Sequence, residues 1–255
     1  MILTNDIYNE DCFSAFSRIE DNSIDLILTD PPYEIGISDG QSKNPLKKLM
    51  NDEPGSIDWE RFFSESYRVL KDRKTLYLHC RTDMIMRIST AINSSKFKYS
   101  HDFIWLKGDM GYGNLNVMGT THELILALSK GTAEKSRVMI IDGLEKKRVP
   151  AIYFGKTTTK EYYQHPTQKP VGLASYIILN RTDEGDIVLD PFSGVSSTLV
   201  AAKILNRKYL GFEIDPHFFD LSKKRLNDSI HLDMFREMIK KGLIRENGAI
   251  RYQSL

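Results

Sequence analysis

The sequence predicts an α/β fold of the doubly wound type, a mostly parallel sheet with helices on both faces. Three observations predict it. Short continuous apolar runs, SIDLILT (23–29) and DIVLD (186–190), read as strands buried on both sides. Stretches with helical spacing, such as IDWERFFSESYRVL (57–70), alternate with them. A strand, a tight glycine turn and a helix follow one another in DIVLDPFSGVSSTLVAA (186–202).

Each element has its own local reason. SIDLILT must stop at Asp30-Pro31-Pro32-Tyr33, because proline cannot donate to a sheet ladder. Asp58 is placed to cap the helix at 57–70. KTLYLHC (74–80) reads as a strand and 82–94 as a helix. DFIWLK (102–107) and HELILALS (122–129) read as strands around a glycine-rich stretch, and they are the expected hairpin-type exception to parallel order. Then come a helix at 170–180, the strand DIVLD, a helix at 196–206, a strand at 208–214 and a helix at 216–228. Three segments stand outside the alternation. Residues 34–56 are polar and read as a loop or lid after Tyr33, 131–164 form a basic insertion, and 231–255 form a tail opening with the helical pattern LDMFREMIKK.

A chain of 255 residues suffices for one large α/β domain with a real core. No apolar run approaches the ~18 residues of a membrane span, and the acidic start is not a secretory signal. Cys12 and Cys80 are the only cysteines, with no CxxC pair, so neither a disulfide framework nor a metal site is expected and a cytoplasmic setting fits. The net charge of +1 says nothing about nucleic acid, but its distribution does: residues 130–160 hold eight bases against three acids. That excess suits phosphates, and equally a solvated surface loop.

Asp190 and Glu213 end successive strands, 23 positions apart, as a glycine loop and a ribose-binding acid do. Gly194 lets a backbone approach a ligand closely, and Ser196 or Ser197 is placed to cap the following helix. The G-x-G-x-x-G of dinucleotide sites and the Gly-Lys-Ser/Thr of P-loops are both absent here. An adenosine ligand without phosphates is the remaining reading, beside a purely structural glycine turn.

Taken together, TDPPY (29–33), HPTQKP (165–170) and DPFSGVSSTLVAA (190–202) resemble the beta-class DNA amino-methyltransferases. NEDCFSAF, YRVLKDRKTLYL, THELILALSKG and YLGFEIDPHFFDLSKKRL match the flow of that family over residues 3 to 228. The resemblance implies a seven-stranded Rossmann-like methyltransferase sheet with permuted motif order. It implies a catalytic and cofactor-binding domain at 1–130 and 165–230, a target-recognition insert at 131–164, and a C-terminal helix and tail at 231–255. It implies S-adenosylmethionine as cofactor and double-stranded DNA as partner, with a homodimer and a cognate restriction enzyme as further expectations. By the same resemblance Asp11 contacts the cofactor adenine and Glu213 its ribose, and Thr167 and Lys169 hold the methionine end. His165, Asp190, Phe192, Ser193, Gly194 and Ser196 complete the expected cofactor site. Ser196 stands where the family pattern has glycine.

The chemistry assigned to Asp30-Pro31-Pro32-Tyr33 follows from the amine. An exocyclic amine is a poor nucleophile because its lone pair is delocalised into the ring. Acceptors on its two hydrogens, the Asp30 carboxylate and the Pro31 carbonyl, localise that pair and stabilise the charge that develops on nitrogen. Tyr33 is placed to stack on an extruded base. Asp30 favours adenine N6 over cytosine N4, where such enzymes often carry Ser before the prolines. The alternatives are a cytosine-N4 methyltransferase and a nucleic-acid-binding module with a degenerate cofactor site, the second supported by Ser196.

Overall fold

The computed structural model describes residues 2–34, 53, 55–107, 120–137, 139–141, 144–146, 149–155, 168–228, 233 and 250–252. The chain opens with β1 (Asp6–Tyr8), α1 (Cys12–Ala15) and a 3-10 turn (Phe16–Arg18). β2 (Ile24–Thr29), α2 (Trp59–Val69), β3 (Leu70–Cys80) and α3 (Thr82–Ser94) follow. Next are β4 (Lys98–Leu106), β5 (His122–Ser129), β6 (Met139–Ile141), β7 (Leu144–Lys146) and β8 (Ile152–Phe154). The remainder comprises α4 (Val171–Arg181), β9 (Ile187–Asp190), α5 (Ser197–Ile204), β10 (Lys208–Phe212), α6 (Pro216–Asn227) and β11 (Ile250–Tyr252).

The main sheet runs in the order β1-β10-β9-β2-β3-β5-β4-β8. β2 pairs in parallel with both β3 and β9, while β5 is antiparallel to β3 and β4. The hairpin expected at 102–129 is therefore present. The six strands read from the sequence and β1 make up the seven that the resemblance implies, and the basic insertion adds an eighth, β8, by pairing in parallel with β4. β6 and β7 of the insertion pair antiparallel, and β11 of the tail joins them through β6. The loop or lid expectation at 34–56 and the helix expectation for the tail fall mostly outside the described residues.

Alternate residues of the buried strands feed two cores. Leu26, Leu28, Tyr77 and Val188 pack with α4 and α5 on one face of the sheet. Ile27, Leu76, Leu78 and Leu189 pack with Phe62 and Phe63 of α2 and Met84 and Ile88 of α3 on the other. A sheet covered on both faces accounts for the continuous apolar runs in the sequence. Asp58 caps α2 by accepting from Arg61 N at 3.0 Å, and Asp215 caps α6, with Pro216 in its first turn, by accepting from His217 N at 2.8 Å.

Candidate active site

β2 and β9 lie side by side, and the chain leaves them in opposite directions, β2 toward β3 and β9 toward β10. Their carboxyl ends form the switch point of the sheet, where doubly wound folds bind ligands. A cleft opens there. Asp30, Pro31, Pro32 and Tyr33 line it together with Asp11, Lys169, Asp190, Phe192, Ser193, Gly194 and Glu213. The two strand ends are joined directly: Thr29 Oγ1 donates to Asp190 Oδ1 at 2.7 Å. Burial lifts the Asp190 carboxyl to about 7.

The glycine turn is built as a ligand-facing backbone. Gly194 has φ +51°, and a Cβ there would meet no atom within 4 Å, so the space beside it belongs to the cleft. Its N–H donates to Glu213 Oε2 at 2.7 Å, and Glu213 Oε1 accepts from Asp215 N at 2.8 Å. Burial raises Glu213 to about 7 as well. Asp11 lines the cleft while capping α1 through Phe13 N at 3.1 Å.

Ser196 and Ser197 depart from the expected helix cap. Ser196 sits in the left-handed region with φ 62°, makes no side-chain cap, and its buried hydroxyl has no hydrogen-bond partner among the described residues. Ser197 Oγ instead donates to the Lys169 carbonyl at 2.6 Å. The left-handed geometry explains why the family pattern has glycine at 196. His165 and Thr167 lie outside the described residues.

The Asp30–Tyr33 turn is clamped on both sides. Glu34, itself at φ 55°, accepts from Ile57 N at 3.0 Å and Trp59 Nε1 at 3.1 Å. Arg87 Nη2 donates to the Tyr33 carbonyl at 2.6 Å. Tyr33 lines the cleft with its hydroxyl donating to Asp30 Oδ1 at 2.8 Å. Burial and the adjacent Asp30 charge push that phenol well above its usual value.

Lys169, expected at the methionine end of the cofactor, has its ammonium 3.0 Å from Asp30 Oδ2 and 3.0 Å from Glu123 Oε2. Burial works against both charges. Asp30 nevertheless holds Lys169 well above its ordinary value, and Lys169 with Lys107 holds Glu123 down at about 2. His79 ends β3 on the same cleft, 4% exposed, and burial lowers it to about 4, so it is neutral at physiological pH. Glu34, Arg87, His79 and Glu123 are the site's unanticipated members. The segment THELILALSKG signalled Glu123 as part of the family's flow, but no role could be read from it.

The lining suits a cation better than a pyrophosphate. Glu10, Asp11, Asp30, Asp190, Glu213 and Asp215 face the cleft, with Lys169 as the only lysine or arginine among its described lining residues. A sulfonium nucleoside fits this lining.

The family model for N6/N4 enzymes, described as DNA methylase, matches residues 24–224. Type II methyltransferase M2.MboI of Moraxella bovis is 30% identical over 261 residues, covering 92% of this chain and 93% of its own length. Type II methyltransferase M2.LlaDCHI of Lactococcus lactis subsp. cremoris is 31% identical over 244 residues, covering 87% of this chain and 88% of its own. Among solved structures, the PvuII DNA methyltransferase, described as cytosine-N4-specific, superposes with a TM-score of 0.71 at 20% identity over 93% of this chain and 92% of its own. The M1.HpyAVI–SAM complex does so with a TM-score of 0.66 at 24% identity over 87% and 98%. Those two likenesses concern the fold. With the model match spanning most of the chain and the relatives covering nearly all of it, this protein belongs to the N6/N4 DNA methylase family.

Proposed function

We propose that this DNA methyltransferase transfers a methyl group from S-adenosylmethionine to the N6 amine of an adenine flipped out of duplex DNA. The observation that carries the reading is the placement of Asp30 and Gly194 in one cleft, with Thr29 and Asp190 hydrogen-bonded between them. Gly194 and Glu213 bind the nucleoside end of the cofactor, and the acidic lining favours its sulfonium. When bound, the cofactor supplies an electrophilic methyl group.

Asp30 and the Pro31 carbonyl accept the two hydrogens of the amine, so the nitrogen lone pair is available for in-line attack and the developing cation is stabilised. The clamps from Glu34 and Arg87 hold both acceptors before substrate arrives. The acid at position 30 supports adenine over cytosine. The bases of 131–164 meet DNA phosphates as a target-recognition insert, anchored where β8 joins the sheet. A second copy of the chain and a restriction enzyme of matching specificity complete the expected partners.

Transfer of labelled methyl from S-adenosylmethionine to DNA, followed by nucleoside analysis, tests this. Label in N6-methyl-2′-deoxyadenosine supports the reading, label on cytosine corrects the base, and no transfer despite cofactor binding refutes the enzyme.

A further inference from the structure

Glu123 opens β5. Because β5 runs antiparallel to β3, its first residues lie where the parallel strands end. That topology brings the Glu123 carboxylate to Lys169, which lines the cleft. The Lys169 ammonium stands 3.0 Å from Glu123 Oε2, 3.0 Å from Asp30 Oδ2 and 3.2 Å from the Tyr33 hydroxyl. Glu123 Oε1 pairs in turn with Lys107, whose ammonium lies 5.1 Å from the centre of the Trp105 ring. The Glu123 and Lys169 side chains are only 16% and 11% exposed, so solvent screens them weakly. Lys107, Glu123, Lys169 and Asp30 thus form a row of alternating charges that sums to zero.

We propose that Glu123 is a positioning residue for methyl transfer, whose charge balances Lys169 so that Asp30 meets the substrate amine with its full strength as an acceptor. This rests on the amino-methyltransferase reading above. Without Glu123 the row carries a net positive charge beside a nitrogen that must itself become positive. Lys169, already 3.0 Å from Asp30 Oδ2, is then left with Asp30 as its remaining carboxylate in the row, and its uncompensated charge weakens Asp30 as an acceptor for the amine. Both effects raise the barrier in the transition state more than they weaken binding of DNA.

Three variants test this: Glu123→Gln, Glu123→Asp and Lys107→Met. The measurements are kcat and KM for methyl transfer, thermal midpoints, and calorimetric Kd values for S-adenosylmethionine and S-adenosylhomocysteine. Only the first of these ligands carries the sulfonium charge, so the ratio of their Kd values reports charge at the site rather than general damage. Glu123→Gln is expected to lower kcat at least about tenfold with KM for DNA within about twofold. It should also raise the ratio of S-adenosylmethionine to S-adenosylhomocysteine Kd by about threefold or more. Glu123→Asp, which keeps the charge, should recover most of both. Lys107→Met leaves the row with a net negative charge, opposite to that of Glu123→Gln, and should lower the ratio.

A parent protein that neither transfers methyl nor binds either ligand refutes the methyltransferase reading and this inference with it. An active parent with unchanged kcat or an unchanged ratio in Glu123→Gln overturns the role of Glu123 alone. If Glu123→Gln does not fold, Lys107→Met decides, and a ratio that stays level or rises overturns the proposal.

Discussion

The Thr29 hydroxyl donates a 2.7 Å hydrogen bond to Asp190 across 161 positions of sequence. It joins the last residue of β2 to the last residue of β9, and so sets the Asp30–Tyr33 turn beside the glycine turn. Thr29→Val removes the donor while keeping the shape, leaving a buried carboxyl with fewer partners. The expected cost is about 1–3 kcal/mol of stability, read as a lower denaturation midpoint, together with weaker cofactor binding by calorimetry. An unchanged midpoint shows that the bond contributes nothing net.

Asp30→Ala removes the charged acceptor but leaves the glycine turn and Glu213 in place. Methyl transfer should fall by about two to three orders of magnitude or more, as when other preorganised electrostatic groups are lost. S-adenosylhomocysteine affinity should persist, since Gly194 and Glu213, the proposed nucleoside contacts, follow β9 and β10, while the ratio of S-adenosylmethionine to S-adenosylhomocysteine Kd should rise as in Glu123→Gln, because the row again carries a net positive charge. Turnover retained in this variant refutes the acceptor role.

Ser196 holds a left-handed backbone with a buried hydroxyl that has no partner among the described residues. Ser196→Gly relieves the strain and removes the stranded hydroxyl, at some cost in unfolded-chain entropy. The net expectation is a gain of about 1 kcal/mol, measured by urea denaturation at constant slope. A loss of stability shows that the hydroxyl is engaged.

Asp190 and Glu213 are both raised to about 7 by burial. The folded protein therefore keeps protons that the unfolded chain has already released above about pH 4. These two groups make stability fall as pH rises from about 4 to 7, with their stabilising contribution gone above that. His79, held neutral down to about 4, works the opposite way. Asp190→Asn cannot ionise, yet its side-chain carbonyl still accepts from Thr29. Relative to the parent, the variant should gain stability progressively between pH 4 and 7. A difference that does not vary with pH in this window contradicts the raised value.

Lys146 and Arg148 belong to the basic insertion. If each meets one phosphate, replacing both with alanine lowers DNA affinity and reduces the slope of log K against log salt by about 1.8. Fluorescence anisotropy across a salt series measures this, and an unchanged slope removes the two residues from the interface.

The sequence by itself determined the alternation of strands and helices and the residues of both turns. Apolar runs report burial on two faces, and prolines and glycines report where a strand must stop or a backbone must turn. These signals are carried by neighbouring residues. β1 and β8 escaped because three residues carry no period, and both pair with distant partners.

What only the tertiary structure decided is which charges face one another. Lys169 reads locally as part of the cofactor segment, but its ammonium meets Asp30 and Glu123. Glu123 reads as the polar first turn of a strand, and it reaches the site because an antiparallel strand begins where parallel strands end. Ser196 reads as a helix cap and is instead a left-handed residue. Coulomb interactions and backbone strain depend on distance and dihedral angle in space, and no pattern along the chain encodes them.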